Sequence, residues 1–583
     1  MYLVTTSLKN TWPEKNFENI LFLGKWCHIY ENITEKIDTD NKIIVPYHWN
    51  DRKKLLKDYQ YLHTIYEKIL KDLSQELNKF HSTKHTILFW RILIGPWLGC
   101  FIQILFDRWY MIEYAFQNYN ITDIICIDIS NNSFVPNDIE EFFNLFPNDR
   151  WNEFIYHELI LRKKEIFIHN VPEEISRQTT SINKKNKSPF KYFINKIYMA
   201  SSFFVKKNDF FFINTYLPPF IEFKLQLKLW QMPQKWKSET IPKFDNKNKI
   251  RNLDLGKVNN SDEFESVLRD LIPKHIPVAY LEGFESIKLQ MTKLMWPMSP
   301  KVIFTSNSHY SDDLFKLWTA HKIESGSKLV IGQHGGHYGM GKWSFFDDHE
   351  FAIANKYLSW GWIKEKEENI FPIGKFSKYK LKSKKKSSNI SALLVTVVHP
   401  RYSYFLYSSP VAEQWNKYFD DQFEFYKKLP NNIQSKLKVR LYSGDYGWNQ
   451  RKRWKDKFPN ILLSNNENEK MADLFNENSI IICTYNGTAF LESLSSNKPT
   501  LIFWDINNWE LNEQAILNFN ILFEVEIFHK DPISASNKLI EIWDNIDEWW
   551  YSERIQSALH TFNNIYAKNN YKLIENIKDV LIN

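Results

Sequence analysis

The feature that most constrains this chain is a regular alternation of short apolar runs and helical patterns that begins near residue 270. Lys301–Thr305 predicts a strand, Asp313–Ile323 a helix and Lys328–Ile331 the next strand. A second alternating series begins at Ile390–Val398 and continues to a strand at Thr500–Trp504. Strands that alternate with helices at this spacing form parallel, doubly wound sheets, so the pattern predicts an α/β protein.

The N-terminal part is expected to add long helices to the first of these units. Three short apolar runs before residue 46 predict strands. Helical patterns follow over 52–80 and from about 86 to 116, the second with a kink at Pro96. Polar stretches at 171–190 and 236–263 contain few apolar residues and predict loops.

The most apolar stretch, residues 86–106, is expected to be a buried helix rather than a membrane span. It contains Arg91 and is broken by Gly95 and Pro96, whereas a bilayer crossing needs about 20 uninterrupted apolar residues. The N-terminus lacks the basic start and apolar run of a signal peptide. We therefore expect a soluble, cytoplasmic protein, with peripheral contact at the inner face of the cytoplasmic membrane as an open alternative.

The length of 583 residues exceeds what one hydrophobic core supports, so at least two domains are expected. The densest basic run, Lys380–Lys386, predicts a linker over 377–388. This places a first domain at 1–376, a second at 389–547 and a helical tail at 548–583 that is able to cross back onto the first domain.

The charge balance excludes some partners. The net charge is +7, and the basic and acidic residues are mixed along most of the chain. The run at 380–386 is typical of a solvated linker, with contact to a membrane surface or an anionic glycan as the alternative. No nucleic-acid-binding motif accompanies the charge, so a nucleic-acid partner is not expected.

The cysteines point to a reducing compartment. Cys27, Cys100, Cys126 and Cys483 are scattered in mostly apolar surroundings, and no CxxC pair occurs. The sequence therefore predicts neither a zinc site nor a disulfide framework.

The most distinctive motif is a loop that directly follows the predicted strand 328–331. Glycines are rare in this chain, 16 of 583 residues, yet five of them fall between 332 and 341. Glycines let the backbone approach a ligand closely, and the freed N–H groups can bind phosphate or carboxylate. A tight turn with incidental histidines is the alternative. The candidate substrate-loop residues are Gln333, His334, Gly335, Gly336, His337 and Tyr338.

An acidic cluster lies within twenty residues of His334. Asp348 and Glu350 are candidates for the carboxylate that deprotonates a hydroxyl group or tunes the pKa of a histidine. A solvated acidic turn that caps a strand is the alternative. Metal binding is not favoured, because no helical pair of ligands four residues apart is present.

A third motif joins the predicted strand at 479–483 to a helix. Asn486, Gly487 and Thr488 fall at the start of this helix, where backbone amides and the positive end of the helix dipole favour an anion. Glu492 lies one turn further on the same face and could accept hydrogen bonds from ribose hydroxyls. Ordinary N-capping is the alternative explanation for Asn486 and Thr488.

Two arginines follow strands of the second alternating series. Arg401 and Arg440 lie at carboxyl ends of predicted parallel strands, the edge where open α/β sheets bind ligands. Either could hold a phosphate or a sugar carboxylate through two hydrogen bonds. A surface salt bridge is the alternative for each.

Several of these motifs resemble known transferases. The TYNGTAFLE helix start and the following NKPTLIFWD strand resemble the nucleotide-sugar-binding half of GT-B glycosyltransferases. The GQHGGHYG loop, IFTS, YLSWGW and GKWC together resemble a bacterial family of surface-carbohydrate transferases. That family is distantly similar to capsule Kdo transferases and teichoic-acid glycerophosphotransferases. Further matches such as PYHWNDR, FWRILIGPWL and LYSGDYGW extend the resemblance over nearly the whole chain.

The resemblance implies a GT-B fold, with two Rossmann-like doubly wound domains facing a central cleft and the N-terminal domain enlarged by long helices. The first domain would bind the acceptor and the second the nucleotide sugar. The implied enzyme moves a sugar from a nucleotide donor onto a surface glycan such as a lipopolysaccharide O-antigen or a capsule. The expected partners are the activated donor, with CMP-linked Kdo or a nonulosonic acid as the specific expectation, and a glycan or glycolipid acceptor.

Direct displacement at an anomeric carbon needs one base on the acceptor side. His334 is the first candidate and Glu350 the second, while the helix start at 486–488 and an arginine would hold the phosphate. No DxD element stands at a strand end, so neither a metal nor another cofactor is expected. A polyol-phosphate transferase, a non-catalytic glycan-binding protein and a nucleotide-sugar epimerase stay open as alternatives, because one fold supports them all.

Overall fold

The computed structural model describes residues 1–13, 19–28, 30, 42–128, 134–163, 166–172, 205–244, 251–257, 262–365, 367–376, 390–464 and 469–583. The expected linker lies outside the described residues, as does most of the expected loop at 171–190.

The N-terminal strands form a parallel sheet of their own. Its order is β3-β2-β1-β4-β5, and every neighbouring pair is parallel. Its strands are β1 (Tyr2–Val4), β2 (Ile20–Phe22), β3 (Lys42–Ile44), β4 (Asp123–Asp128) and β5 (Phe167–Pro172).

The second sheet is also fully parallel and carries the glycine-histidine loop. Its order is β10-β9-β8-β7-β6, with β8 in the centre. Its strands are β6 (Phe211–Phe212), β7 (Val302–Thr305), β8 (Lys328–Gly332), β9 (Lys356–Ser359) and β10 (Ile370–Pro372).

The third sheet has the strand order of a dinucleotide-binding domain, β13-β12-β11-β14-β15-β16. The order reverses between β11 and β14, and ligands of open parallel sheets bind in the crevice at such a reversal. The motif at 484–488 leaves β14 at this point. The strands are β11 (Ala392–Val395), β12 (Leu437–Arg440), β13 (Leu462–Leu463), β14 (Ile480–Cys483), β15 (Thr500–Phe503) and β16 (Phe528–His529).

Helices cover these sheets. In the first half they are α1 (Arg52–Phe80), α2 (Ile87–Asn118), α3 (Ile139–Leu145), α4 (Asp149–Ile160), α5 (Pro219–Lys228), α6 (Glu263–His275), α7 (Phe284–Thr292), α8 (Ser308–Ser311), α9 (Asp313–Glu324) and α10 (Phe345–Ile353). In the second half they are α11 (Trp415–Lys428), α12 (Asn431–Gln434), α13 (Gln450–Lys457), α14 (Met471–Glu477), α15 (Thr488–Ser495), α16 (Glu513–Glu524), α17 (Pro532–Ile542), α18 (Ile546–Trp550), α19 (Glu553–Tyr566) and α20 (Leu573–Ile582).

Helix α2 is a core helix. It is long and apolar enough to cross a membrane, but 83% of its most apolar window is buried inside the protein. It continues through Pro96, and Thr86 caps its start by accepting a hydrogen bond from the Phe89 N–H. The expectation of a buried helix is therefore confirmed.

The predicted α/β class and the GT-B arrangement are confirmed by the topology. The first sheet reverses its strand order between β1 and β4 and the third between β11 and β14, so both have Rossmann-like topology. The second sheet runs in sequential order from β6 to β10, and its loop-bearing edge meets that of the third. The structure adds one feature that the strand patterns did not reveal: within the described residues, the expected first domain contains two sheets instead of one. Short apolar runs predict strands but do not say which of them pair.

The tail spans both units. Helix α19 packs against α15 and α16. Helix α20 places Ile577 and Leu581 in an apolar cluster with strand residues of the second sheet. Between the two helices, the Lys568 N–H donates to the Trp360 carbonyl, and the Lys375 N–H donates to the Lys568 carbonyl, each over 2.9 Å. The tail therefore ties the third-sheet unit to the second sheet.

Two arginines, Arg108 and the half-buried Arg52, join the N-terminal helices to the third-sheet unit. Arg108 is fully buried, and its guanidinium donates to Asn152 and to the Ser403 carbonyl 2.9 Å away. Arg52 donates twice to the Glu510 carboxylate, each time over 2.6 Å. The Arg108 charge is stable in the interior only because its N–H donors have acceptors.

We predict that Arg52→Ala lowers the free energy of unfolding by about 1–3 kcal/mol, since it leaves the Glu510 carboxylate without its partner. Lys417→Ala, which removes one member of the exposed Lys417–Asp421 pair, should change it by at most about 0.5 kcal/mol. Urea denaturation of both variants checks this expectation. Equal effects of the two substitutions would show that the Arg52–Glu510 pair does not stabilise the fold more than an exposed pair does.

Candidate functional site

The glycine-histidine loop, residues 333–341, leaves the carboxyl end of β8 and is held in place by Gln333. The Gln333 side chain is buried, and its Oε1 accepts from the Trp360 N–H and the Trp362 indole N–H, each over 2.8 Å. Its Nε2 donates to the Gly335 carbonyl over 2.7 Å. The expected substrate contact by Gln333 is therefore corrected, because both polar atoms are engaged inside the protein and shape the loop.

Gly336 brings the loop into contact with the third-sheet unit. A methyl group on Gly336 would overlap the Gly487 carbonyl and lie 2.5 Å from the Thr488 nitrogen. Only a residue without a Cβ allows backbone to lie this close to backbone. The two motifs that the sequence singled out separately therefore touch each other.

Hydrogen bonds extend this contact along the loop. Asn512 donates its backbone N–H to the Met340 carbonyl and its side-chain amide to the Gly339 carbonyl, both over 2.9 Å. The Lys342 N–H donates to the Glu510 carbonyl over 3.1 Å. The end of the loop is thus bonded to the third-sheet unit.

A buried polar cluster lies beside the loop. The Tyr338 hydroxyl is 3.0 Å from Glu350 Oε1 and 3.3 Å from His334 Nε2. His309 Nε2 is 3.1 Å from the same Glu350 oxygen. Glu350 Oε2 and His334 Nδ1 are buried and make no hydrogen bond within the described residues. The cluster therefore links His334 to a carboxylate through Tyr338.

Burial sets the protonation of this cluster. It raises the pKa of Glu350 to about 7, with nearby His334 acting in the opposite direction. It lowers the pKa of His334 to about 4 and that of His309 to about 3. Low-polarity surroundings disfavour the charged form of each group. Both imidazoles are therefore neutral near pH 7, where the carboxyl group can be ionised.

The hydrogen-bond pattern fixes the tautomer of His334. When Glu350 is ionised it accepts a hydrogen bond from the Tyr338 O–H, so the Tyr338 oxygen is free to accept one from His334 Nε2–H. His334 Nδ1 then carries the lone pair. Glu350 thus orients a neutral imidazole with one free basic nitrogen, as the carboxylate of a catalytic triad does.

Other residues near the loop serve different contacts. Asp348 accepts a hydrogen bond from Tyr59 of α1, and burial raises its pKa. It lines a cavity of about 610 Å³ against α1 and α2 together with His349. Its expected place in the substrate loop is therefore corrected, since its carboxylate is engaged on the α1 side. His337 lies with its Nε2 3.6 Å from Asp347.

The 484–488 segment of the third-sheet unit forms the opposite wall of the site from the glycine-histidine loop. On this wall, Asn486 has unused hydrogen-bonding capacity. It is 3% exposed, yet neither atom of its side-chain amide finds a partner among the described residues. The neighbouring Thr484 hydroxyl, in contrast, bonds to the Val395 carbonyl and to Tyr418. A buried amide without partners costs about 1–3 kcal/mol, so its persistence suggests a ligand.

The start of α15 lies next to this amide. Gly487 is its N-cap and supplies no side-chain hydrogen bond, which leaves the first-turn N–H groups without a side-chain cap. Thr488 and Glu492 are half-buried on this helix. Such helix starts bind phosphate.

The two arginines have different surroundings. Arg401 is buried and donates to the Trp26 carbonyl and to Asp149, each over 2.7 Å. It joins the halves of the protein, so its expected role as a phosphate ligand is corrected. Arg440 lies half-buried at the end of β12 and donates to the Glu469 carbonyl over 3.0 Å.

The sequence patterns missed His309. It follows β7 by four residues in the short helix α8 and reaches the same carboxylate as Tyr338. The available signal was weak: a polar segment at the carboxyl end of a predicted parallel strand. Within the described residues of this cleft, no three His, Cys, Asp or Glu side chains bring ligand atoms within 4.8 Å of one another.

A family model described as LIC12162 family transferase matches residues 1–581. The chain belongs to this transferase family. The match confirms the expected relationship and the expectation of an enzyme. Comparison with curated proteins gives no match.

Several solved structures align with parts of the chain at low identity. The wall teichoic acid polymerase TagF aligns with a TM-score of 0.33 and 9% identity over 67% of this chain and 94% of its own. MurG of Acinetobacter baumannii aligns with a TM-score of 0.30 and 10% identity over 56% and 89%. The lipopolysaccharide glycosyltransferase WaaG aligns with a TM-score of 0.27 and 10% identity over 64% and 98%.

We predict that Gly336→Ala lowers the free energy of unfolding by about 1–3 kcal/mol, because its methyl group forces the Gly487 backbone away. Gly341→Ala is the matched control in the same loop, since its Cβ would meet no heavy atom nearer than 3.5 Å. Denaturation curves of the two variants measure the difference. A stable Gly336→Ala protein would show that the two walls do not touch.

Proposed function

We propose that this LIC12162 family member is a glycosyltransferase that moves a sugar from a nucleotide donor onto a bacterial surface glycan. The observation that carries the proposal is the contact of Gly336 with Gly487 and Thr488. It places a neutral histidine with a free nitrogen and a helix start with unsatisfied polar groups on adjoining walls. Sugar transfer needs both: a base for the acceptor and an anion site for the departing phosphate.

The third-sheet unit is proposed to hold the donor. Its strand order reverses at β11 and β14, and the 484–488 segment lies at that point. The amide N–H groups at the start of α15 would hold the diphosphate or phosphate, and the Asn486 side chain would complete their hydrogen bonds. Glu492, one turn into the helix, is proposed to contact ribose.

His334 is proposed as the base. Its Nδ1 would take the proton of the acceptor hydroxyl while that oxygen attacks the anomeric carbon. The bond from the anomeric carbon to the phosphate oxygen breaks, and the helix start stabilises the charge left on the phosphate. Glu350 acts through Tyr338 by fixing the His334 tautomer and by stabilising the imidazolium. Glu350 as the direct base is the second candidate, because its Oε2 accepts no hydrogen bond from any described residue.

The proposed donor is a CMP-activated acidic sugar such as Kdo or a nonulosonic acid. The net charge of +7 and the resemblance to capsule Kdo transferases support it. With Arg401 engaged in the interface, Arg440 is the remaining candidate for the sugar carboxylate. The acceptor is proposed to be a glycan or glycolipid of the lipopolysaccharide or capsule, met at the cytoplasmic side of the inner membrane.

We expect His334→Ala to lower kcat by a factor on the order of 10²–10⁴ with little change in donor affinity, because only proton transfer is lost. Since Glu350 has a pKa near 7 and acts when ionised, kcat of the unmodified enzyme should rise as the pH passes through about 7. Glu350→Gln should remove this rise. Steady-state kinetics from pH 5.5 to 8.5 measure both effects.

Asp348→Asn is the control, since Asp348 bonds to Tyr59 away from the cluster. It should retain kcat and its pH dependence. Retained turnover in His334→Ala with none in Glu350→Gln would transfer the role of base to the carboxylate. Full activity in both variants would place the chemistry elsewhere.

The donor site is tested by ligand binding. Thermal shifts with CMP, CDP, UDP and GDP ligands identify the nucleotide, because a ligand that binds the folded state raises Tm. With that ligand, Asn486→Ala should weaken binding by about 1–3 kcal/mol in calorimetry and leave the fold intact, since the amide has no partner in the part of the chain that the structure describes. Asn478→Ala is the opposite case: its buried amide donates to the Leu474 carbonyl, so stability should fall while affinity stays.

A shift with UDP ligands alone would overturn the CMP assignment. No shift with any nucleotide would contradict the glycosyltransferase and favour the glycan-binding alternative. Turnover with a CDP-linked polyol, and none with nucleotide sugars, would favour the polyol-phosphate transferase.

A further inference from the structure

Helix α5 and the residues on either side of it expose large apolar side chains along one edge of the second sheet. Five of them are more than 45% exposed: Phe220, Phe223, Leu227, Trp230 and Met232. Trp230 is 87% exposed. Phe220, Phe223 and Leu227 are three and four residues apart, so they lie along one face of the helix. Single exposed apolar residues are common on protein surfaces, but such a strip is typical of a binding surface.

The backbone at Trp230 is unusual for this residue type. Helix α5 ends in a Schellman motif, in which the Trp230 N–H donates to Leu227 and the Gln231 N–H donates to Gln226. Trp230 occupies the left-handed position of this motif with φ of 59°. Glycine is preferred there because a Cβ is disfavoured. The chain therefore keeps an exposed indole at a position where it costs stability.

A second exposed aromatic residue in the left-handed region precedes the helix. Tyr216 has φ of 59° and is 53% exposed. Strained backbone of this kind concentrates at functional sites. Two strained aromatic residues thus flank the helix, one at each end.

The charges around the strip are mainly basic. Lys224 lies over the Phe220 ring with its Nζ 4.3 Å from the ring centre, and Lys228 pairs with Glu575 of α20. Lys235 is exposed beyond the helix. The acidic residue of the helix, Glu222, turns inward and accepts from Thr215. The exposed face therefore combines aromatic and aliphatic side chains with ammonium groups.

We propose that this α5 face, residues 220–232, binds the surface of an anionic lipid bilayer. Phenylalanine, leucine and tryptophan can enter the boundary between headgroups and acyl chains, while lysines remain at the level of the phosphates. Tryptophan with its N–H in water and its rings in lipid suits this boundary in particular. The basic charge matches a bilayer better than it matches an apolar protein partner.

Tyr216, which precedes the α5 face in the chain, lies beside His334, the candidate base. The Tyr216 ring centre is 6.0 Å from that of His334, and the Tyr216 hydroxyl accepts from Asn307 over 3.0 Å. A cavity of about 240 Å³ opens between α5 and residues 233–236 and is lined by Tyr216 and Phe223. If the proposed function holds, a lipid-linked acceptor in the bilayer would reach His334 past Tyr216. The membrane contact itself does not depend on that function.

The test uses the full chain and vesicles of phosphatidylglycerol and phosphatidylethanolamine, with phosphatidylcholine vesicles as the neutral comparison. We expect sedimentation with the anionic vesicles and about tenfold weaker binding for Phe223→Ser combined with Trp230→Ser. Leu517→Ser combined with Tyr571→Ser is the matched control, since both residues are more than 60% exposed elsewhere. This control should bind as the unmodified protein does.

Trp230→Gly separates binding from folding. Glycine relieves the left-handed strain, so Tm should rise while vesicle binding falls. Equal binding by the α5 variants and the control, or equal binding to neutral vesicles, would overturn the proposal. Dimerisation in light scattering that the α5 substitutions abolish would also overturn it and assign the face to a second copy.

His334→Ala distinguishes this proposal from the catalytic one. It should bind vesicles as the unmodified protein does, because it lies outside the face. Loss of catalysis in that variant with intact vesicle binding supports both proposals. Vesicle binding without any nucleotide-dependent activity would support the membrane face alone.

Discussion

Gly336 lies directly against the peptide that joins Gly487 to Thr488, and much of the candidate site depends on this contact. A side chain at Gly336 would separate the walls by about the thickness of a methyl group. The polar cluster belongs to the second sheet and the helix start to the third, so neither wall alone can serve a transfer reaction. Because the contact is between backbones, it sets the relative position of the two walls more strictly than side-chain packing does.

Burial then gives the cluster its chemical character. An exposed histidine and an exposed glutamate would keep their usual pKa values, but here burial raises the pKa of Glu350 and lowers that of His334. The two shifts oppose folding over different pH ranges. The cost of keeping Glu350 ionised in the fold is absent below its usual pKa and is complete above about 7. The cost of keeping His334 neutral is absent above its usual pKa and grows as the pH falls towards 4. Shifted pKa values of this kind in a cleft are typical of a functional site.

Local signals in the sequence predicted much of the fold. Helix α1 begins at Arg52 and ends at Phe80, as its apolar spacing indicated, because Asp51 caps its start. The ends of the strands agree within a few residues for the same reason: apolar runs stop where polar turns begin. The pairing of the N-terminal strands into a separate sheet could not be predicted, since pairing depends on contacts between residues far apart in the chain.

The same distinction applies to the candidate site. The glycine-histidine loop was found from composition, because glycine is rare elsewhere in the chain, and the 484–488 segment from its position between a predicted strand and a helix start. The roles of Gln333, Asp348 and Arg401 were wrong because each depends on a distant partner: Trp360 and Trp362, Tyr59, and Trp26 with Asp149. A polar side chain at a strand end can face a ligand or a neighbouring segment, and its own sequence context does not decide between them.

The hydrogen-bonded interface between the two walls also constrains how substrates enter. The loop end is bonded to Asn512 and Glu510, and Arg52 and Arg108 bond the N-terminal helices to the same unit. Opening the walls apart would break these bonds together, including those of the buried Arg108, and breaking a buried charge pair is costly. Entry without such an opening requires a path outside the bonded segment. Tyr216 is the exposed neighbour of the His334 ring and lies at the edge of the second sheet, away from those bonds. In the proposed reaction, an acceptor that approaches past Tyr216 would reach His334 without disturbing the Gly336 contact, which holds the proposed donor wall in place.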